Sequence, residues 1–559
     1  MVWSRSPSRG RIWLATFMAL TSMTGSGFVL LTNAHTGPHH HQPRGGSNTS
    51  FRQISGPPSA TSTSVSAPAD DGAEEIANNI CTDETPSRPI PLQATNEAVA
   101  SAKMPKNQGA LKVLFLSADT GGGHRASAES LAKQFLIHYP GSTYDLLDVW
   151  TEDGVYPYKT LVESYKHLSA HPQQWKMLYH LSNTRPWEVL MDWHSAFMCE
   201  AKIRARIASY NPDVIVSVHP AMQYVPMKSV RHLSRERGRH IPFFTVVTDL
   251  GSGHCTWFQK HPDKIYIASE RIRRLTKRRG GTEDCKIVST GLPIRHDFAV
   301  HSKAMGDRTT PSGQAYVQKM KLDLGLPGDK PMVLLMGGGE GVGSLSEIVE
   351  QVYRSLVSEG VDATICVVCG RNENLRLSLE QRDWDAVLEA RPKFSKRRFF
   401  SRILWRRRRS RRLQESLDRA EAYQHDRPDL VNARATVDVI GLGFVTRMAE
   451  YMVAADVLVT KAGPGSIAEA ASVGLPIMLT SFLPGQEAGN VDFVLDAGFG
   501  DYNGDPVEIA QELTIWLKDR KLLVAMSKSA QGSGHPTAAE DIVLDIGETT
   551  RAWMLLNNK

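Results

Sequence analysis

Between Asp456 and Ala470 the chain reads Val457-Leu458-Val459-Thr460, then Lys461-Ala462-Gly463-Pro464-Gly465-Ser466, then Ile467-Ala468-Glu469-Ala470. A short apolar run bounded by a polar turn predicts a buried parallel strand. Gly463 and Gly465 permit dihedrals and a close ligand approach that a Cβ forbids. The spacing predicts Ser466 as the N-cap of a helix, with Glu469 three residues on completing a capping box. A helix starting there aims free N–H groups and its positive dipole end at the carboxyl edge of the sheet, which suits a phosphate. The same device recurs twice. Lys112–Ser117 runs into Ala118-Asp119-Thr120-Gly121-Gly122-Gly123-His124-Arg125, and Pro331–Met336 runs into Gly337-Gly338-Gly339-Glu340-Gly341-Val342-Gly343-Ser344. Strands and helices alternating in two blocks, each with glycine loops at strand ends, predict an α/β chain of two Rossmann-like domains facing across a cleft.

At 559 residues the chain exceeds a single hydrophobic core, and the reading divides it accordingly. Residues 1–108 form a leader and linker, 109–300 a first domain, 301–330 a connection, and 331–550 a second domain interrupted by a basic insertion at 391–430. The leader opens with Arg5, Arg9 and Arg11 ahead of a mostly apolar run from Ile12 to Leu31, and no acidic residue precedes Asp70. That pattern resembles an apolar targeting head followed by an organelle transit peptide, as a plastid bounded by extra membranes would require. A single uncleaved anchor helix with a disordered linker is the competing reading. Six scattered cysteines argue against a disulfide framework or a structural zinc site. Cys366 and Cys369, the only C-x-x-C, lie in a strand whose alternation sends them to opposite faces, so they read as packing.

Three consecutive glycines carry a large ordering cost, and a backbone pressed against a substrate supplies a reason for it. His124 follows them at the first turn of a helix, at the carboxyl edge of a sheet. Helix N–H dipoles disfavour imidazolium there and leave a neutral ring able to accept a proton. Asp249, at the tip of a later strand, is the candidate to orient His124 or to bind the acceptor. Trp257 and Phe258 are candidates to hold an acyl chain or glycerol backbone, as aromatics do where water meets apolar surface. The stretch from Tyr156 to Trp193 is aromatic and poor in periodicity, which fits a lid entering a membrane interface or an ordinary helical excursion. For a donor, the reading selects Gly123, Arg295, the loop Gly338, Gly339, Glu340 and Gly341, Arg371, and the loop Phe444-Val445-Thr446, whose backbone faces a base edge. It adds Lys461, Ala462, Gly463, Pro464, Gly465, Ser466 and Glu469, and the following strand-end loop Gln486, Glu487, Ala488, Gly489 and Asn490.

Two of these stretches, Lys461–Glu469 and Gly485-Gln-Glu-Ala-Gly-Asn490, resemble the nucleotide-sugar half of the monogalactosyldiacylglycerol synthases. More distantly they resemble the bacterial N-acetylglucosaminyltransferases of peptidoglycan-precursor synthesis. Asp119-Thr-Gly-Gly-Gly-His-Arg-Ala-Ser-Ala-Glu129 resembles the amino-terminal signature of the same galactolipid synthases. The resemblance spans about Leu111 to Trp516, with Ser466 where the family usually has Thr. It implies the GT-B architecture, His124 as general base, and a single inverting displacement from UDP-galactose onto 1,2-diacylglycerol without a bound metal or other cofactor. It implies a plastid-envelope location, peripheral or monotopic, with Pro157 in contact with an activating anionic lipid; a homodimer is open to it. A UDP-glucose donor, a polyprenyl-linked acceptor and a non-catalytic lipid- and nucleotide-binding envelope protein stay open as alternatives. The strict dinucleotide fingerprint is missing, which disfavours an NAD-dependent oxidoreductase.

Residues 393–412 depart from the family. Eleven Lys or Arg residues alternate there with Phe394, Phe399, Phe400, Ile403, Leu404 and Trp405. Basic and large apolar side chains together suit an anionic membrane face. Nucleic acid is disfavoured, since no nucleic-acid module surrounds the run; a solvated loop is the plain alternative.

Overall fold

The computed structural model describes residues 109–120, 123–337, 344–389 and 435–558, all within one contact unit. The leader, the Gly338–Gly341 loop and the basic run 393–412 lie outside the described residues.

Twelve strands form two parallel sheets of six. The first contains β1 (Lys112–Leu116), β2 (Thr143–Leu147), β3 (Val214–Ser217), β4 (Phe243–Val246), β5 (Lys264–Ile267) and β6 (Ile287–Ser289), in the order β2-β1-β3-β4-β5-β6. The second contains β7 (Met332–Met336), β8 (Ala363–Val368), β9 (Val437–Leu442), β10 (Val457–Thr460), β11 (Ile477–Leu479) and β12 (Gly500–Tyr502), in the order β12-β11-β10-β7-β8-β9. Every residue of β3, β4 and β10 is buried. Helices cover both faces of a parallel sheet, so its central strands carry unbroken apolar runs. This is the two-domain GT-B arrangement expected from the sequence. Cys366 and Cys369 fall in the separate cores on opposite sides of β8, each a free thiol.

Strand order locates the crevices. In each sheet the chain first builds outward on one side and then reverses to the other. The reversal falls between β1 and β3 in the first sheet and between β7 and β10 in the second. Ligands of open α/β sheets bind outside the carboxyl ends of the strands at such a switch point. The exit of β1 and the glycine turn after β10 open at these two crevices.

Two features differ from the sequence reading. The edge strand β2 begins with three exposed residues, and that polar start hides it from an apolar-run search. The carboxyl-terminal helix Ala538–Asn557 returns to the first domain instead of completing the second. Its Ile542, Val543 and Ile546 share a core with Leu131, Phe135 and Tyr139. Gly547 makes this crossing possible, because a Cβ there would stand 2.1 Å from the Tyr139 ring. Among the described residues no helix is long and apolar enough to cross a membrane.

Candidate active site

His124 occupies the first turn of the helix Gly123–His138, 8% exposed, at the β1/β3 crevice. Its Nδ1 lies 3.0 Å from the Val218 carbonyl oxygen and 2.7 Å from Thr248 Oγ1. A carbonyl can only accept, so Nδ1 carries the ring proton and Nε2 keeps its lone pair. Burial lowers the pKa of His124 to about 4, opposed by the Val218 bond, so the ring is neutral at physiological pH. The ring of His219 meets it edge-on, with centroids 4.6 Å apart. His219 Nδ1 accepts from the Ala221 backbone N–H at 3.2 Å, which leaves its Nε2–H to donate to Thr120 Oγ1 at 2.9 Å. Burial holds His219 well below its ordinary pKa, and His124 beside it lowers it further. Thr120 is the last described residue after β1, so His219 ties the exit of β1 to the chain that follows β3.

Asp249 does not orient His124. Its Oδ2 accepts from Trp257 Nε1 at 2.7 Å, and burial lifts its pKa to about 7, with Trp257 lowering it and Glu487 raising it. The role expected of Asp249 falls to its neighbour Thr248. In the extended chain entering the loop, successive side chains point to opposite sides. Trp257 and Phe258 are likewise interior, 0% and 2% exposed, in a core with Ile265, Ile267 and Ile272. Their ring area is spent on packing and on the Asp249 bond, and does not form an open boundary. Pro157 is half-buried at the start of the short turn Tyr158–Thr160, where its carbonyl accepts from Thr160 Oγ1 at 2.9 Å.

Across the crevice the helix Pro464–Ser472 starts one turn earlier than the capping box predicts. Gly463 is the N-cap and Pro464 fills the first helical position, where its fixed φ and missing N–H are tolerated. Ser466 therefore sits inside the first turn and makes no capping bond. Glu469 instead takes a bidentate pair from Arg295, Nε to Oε1 at 2.6 Å and Nη2 to Oε2 at 2.8 Å. Arg295, expected on a pyrophosphate, is held in this structure by the carboxylate expected to serve the same donor. Lys461 Nζ pairs with Glu487 at 2.6 Å, and Glu487 also accepts from the Leu483 N–H at 2.8 Å.

The loops of the two sheets touch directly. Asn490 Oδ1 accepts from the N–H groups of Leu250 and Gly251 at 3.3 and 3.2 Å, and its Nδ2 donates to the Ala462 carbonyl at 3.0 Å. Ser252 Oγ donates to the Gln486 carbonyl at 2.6 Å and accepts from the Gly489 N–H at 3.1 Å. A Cβ on Gly251 would come within 1.8 Å of the Gly489 carbonyl oxygen, so only glycine fits this approach. Ala488 opens the helix Ala488–Ala497 behind that contact. Gln486 Oε1 is buried without a hydrogen-bond partner.

The remaining described donor candidates of the second domain follow the strands on the other side of β7. Arg371 is exposed after β8, and Phe444, 72% exposed, stands with Val445 and Thr446 after β9. Strand order puts β9 three places from β10, about 14 Å at ordinary strand spacing. Gly123 has open space where a Cβ would point. Sequence reasoning missed Thr120, His219 and Thr248 as site residues. The signal for His219 was available: it stands two residues past the end of β3, the strand that pairs with β1. It also left undecided the helices Leu161–Ser169 and Pro172–Ser182, which lie over the site. Tyr179 is buried there, so close to Gly485 that a Cβ on that glycine would stand 2.5 Å from the ring.

Comparison with known proteins completes this geometry. Residues 124–294 match the family model for monogalactosyldiacylglycerol (MGDG) synthase, and residues 332–541 match the glycosyltransferase family 28 C-terminal domain. A probable monogalactosyldiacylglycerol synthase 2, chloroplastic, of Oryza sativa subsp. japonica is 34% identical over 451 residues, covering 79% of this chain and 81% of the relative. The chain belongs to the monogalactosyldiacylglycerol synthase family. The monogalactosyldiacylglycerol synthase 1, chloroplastic, of Arabidopsis thaliana is 32% identical over 447 residues, 79% of this chain and 71% of that one. Acinetobacter baumannii MurG, a solved structure, is 15% identical with a TM-score of 0.46, covering 78% of this chain and 99% of that one. Both halves of the monogalactosyldiacylglycerol synthase architecture are therefore present, and the chain is a glycosyltransferase. The two family-model matches meet at the crevice, with His124 in the first and Lys461, Glu469 and Gln486 in the second.

Proposed function

We propose that the chain is a 1,2-diacylglycerol 3-β-galactosyltransferase, moving galactose from UDP-galactose to the free hydroxyl of diacylglycerol with inversion at the anomeric carbon. One observation carries the reading: a buried, neutral His124 has its Nδ1 proton committed to Val218 and Thr248, which leaves Nε2 as the acceptor at the crevice. Nε2 takes the proton of the lipid hydroxyl as that oxygen bonds to the anomeric carbon. The bond from that carbon to the diphosphate oxygen breaks, and UDP leaves with the electron pair. The N-terminus of the helix Pro464–Ser472 with Lys461 and Arg295 offsets the charge on the departing diphosphate. The reading assigns that work to these groups and to no metal ion. The unpaired Gln486 Oε1 suits a sugar hydroxyl as donor.

The names of the relatives support a plastid location, and the reading places the chain at the envelope, held peripherally. It assigns the basic run 393–412 and Pro157 to anionic lipid, assigns no role to nucleic acid, and leaves self-association to sedimentation analysis. The deciding experiment incubates purified protein with diacylglycerol liposomes and labelled UDP-sugars, then identifies the glycolipid. A β-galactolipid from UDP-galactose is expected. A glucolipid would move the donor assignment, and no glycolipid from any donor would leave a binding role alone.

A further inference from the structure

The helix Arg185–Tyr210 has 26 residues, and its inner face packs Ala196, Cys199, Ile203 and Ile207 into the first domain. At about 1.5 Å per residue it runs roughly 39 Å along the surface. Its outer face is unusual. Every exposed position between Arg185 and Lys202 is apolar. Val189, Leu190, Trp193, Phe197 and Met198 are 55, 39, 64, 78 and 43% exposed. Val189, Trp193 and Phe197 recur at fourfold spacing, so they form one stripe. The Trp193 and Phe197 rings stack at 6.0 Å with planes 10° apart, presenting one flat aromatic surface. Isolated apolar residues on a surface need no explanation, whereas a contiguous exposed stripe marks an interaction site.

The three carboxylates in this stretch stay off the exposed stripe. Glu188 is buried and pairs with Arg185 at 3.1 Å, Asp192 is half-buried, and Glu200 is half-buried beside His232 at 3.0 Å and Arg204 at 3.4 Å. Cations close both ends, with Arg185 and Lys202 exposed. An aromatic stripe flanked by long cationic side chains matches the acyl–headgroup boundary, where the rings sit in the apolar layer and the cations reach back to phosphates.

We propose that this stripe of the helix Arg185–Tyr210 lies in a lipid bilayer surface and docks the first domain onto the membrane that holds its acceptor. The choice of occupant rests on the diacylglycerol reading, because an acceptor dissolved in a bilayer requires a face that meets one. A second copy of the chain is the rival occupant. Cations at both ends of the stripe would be set against their own kind across any twofold arrangement that overlays those ends. The structure also narrows the sequence expectation of a membrane-entering lid: Trp175 and Tyr179 turn inward toward each other, with ring centroids 6.0 Å apart, while Tyr156 is exposed ahead of the two helices and Trp193 on the helix after them.

The test uses the full chain, vesicles of phosphatidylcholine with diacylglycerol, and brominated phosphatidylcholine as quencher. Tryptophan fluorescence is expected to be quenched, and Trp193→Phe, which keeps the face apolar, should remove a component of that quenching. Trp193→Glu/Phe197→Glu should lower turnover on diacylglycerol in vesicles at least about tenfold, since two large side chains lose their burial. Turnover on detergent-dispersed diacylglycerol should stay within about twofold, which also shows that the double variant folds. Both effects should persist at high salt, because insertion of apolar surface is not screened. Identical quenching in the wild type and Trp193→Phe overturns the proposal. So does a double variant that turns a dimer into a monomer while vesicle turnover is unchanged. Quenching that depends on Trp193 without glycolipid from either acceptor form fails the galactosyltransferase reading and leaves the docking face standing.

Discussion

The two crevice edges solve opposite electrostatic problems. At the β1/β3 edge the side chains around His124 are neutral: Thr120, His219 and Thr248, all buried. At the β10 edge two ion pairs stand side by side, Arg295 with Glu469 and Lys461 with Glu487, each with a nearly buried carboxylate and a cation about 40% exposed. A proton acceptor must stay uncharged at neutral pH, and burial without a fixed counter-charge achieves this. A site for a diphosphate needs positive charge that is held in place yet still reachable, and a buried carboxylate behind a half-exposed cation provides it. In the proposed reaction the first sheet performs the chemistry and the second receives the charge.

The sharpest way to break that division is His124→Ala. Loss of the base should lower kcat by about 10² to 10⁴ with UDP affinity retained, read by glycolipid assay and calorimetric titration. Unchanged turnover would remove His124 from the reaction. On the other edge, Arg295→Ala should act on the donor, raising KM for UDP-galactose about tenfold to a hundredfold with a smaller effect on kcat. A pure kcat effect would move Arg295 to the chemical side. Thr248→Val keeps the shape and removes one acceptor from Nδ1; with the Val218 carbonyl still in place, kcat should fall about tenfold. The same loss from Asp249→Asn would restore the orienting role to Asp249.

The smallest effect is a pH slope. His124 titrates near 4 in the fold against 6.5 in the unfolded chain, so the unfolded chain binds the extra proton between these values. Its contribution to stability is whole above pH 6.5 and declines as pH falls toward 4. Asp249, raised to about 7 from 3.8, acts in the opposite sense, losing stability as pH rises through that span. The difference between wild type and His124→Gln in thermal unfolding isolates the histidine slope. Parallel curves for the two proteins would show that His124 is not buried neutral.

Much of the donor half was legible as local pattern. Val457–Thr460 followed by a glycine turn is a strand and a helix start at any position in a chain, because backbone freedom and alternation are local properties. Ser466 misled for an equally local reason: Pro464 can begin the helix before it, and first-turn proline outcompeted the capping-box pattern. Trp257 and Phe258 misled because an amphipathic aromatic reads alike whether it faces lipid or a core.

The sequence alone determined the alternation of strands and helices, the glycine loops that bare the sheet edges, and His124 as the residue presented by one of them. These follow from dihedral freedom and periodicity over a few residues. Only the tertiary structure decided that Thr248 and Val218, more than ninety residues from His124, hold its Nδ1, that Arg295 grips Glu469, and that the last helix returns to the first domain. Those outcomes depend on which strands lie side by side, and strand order is set by long-range burial that no short stretch of sequence encodes.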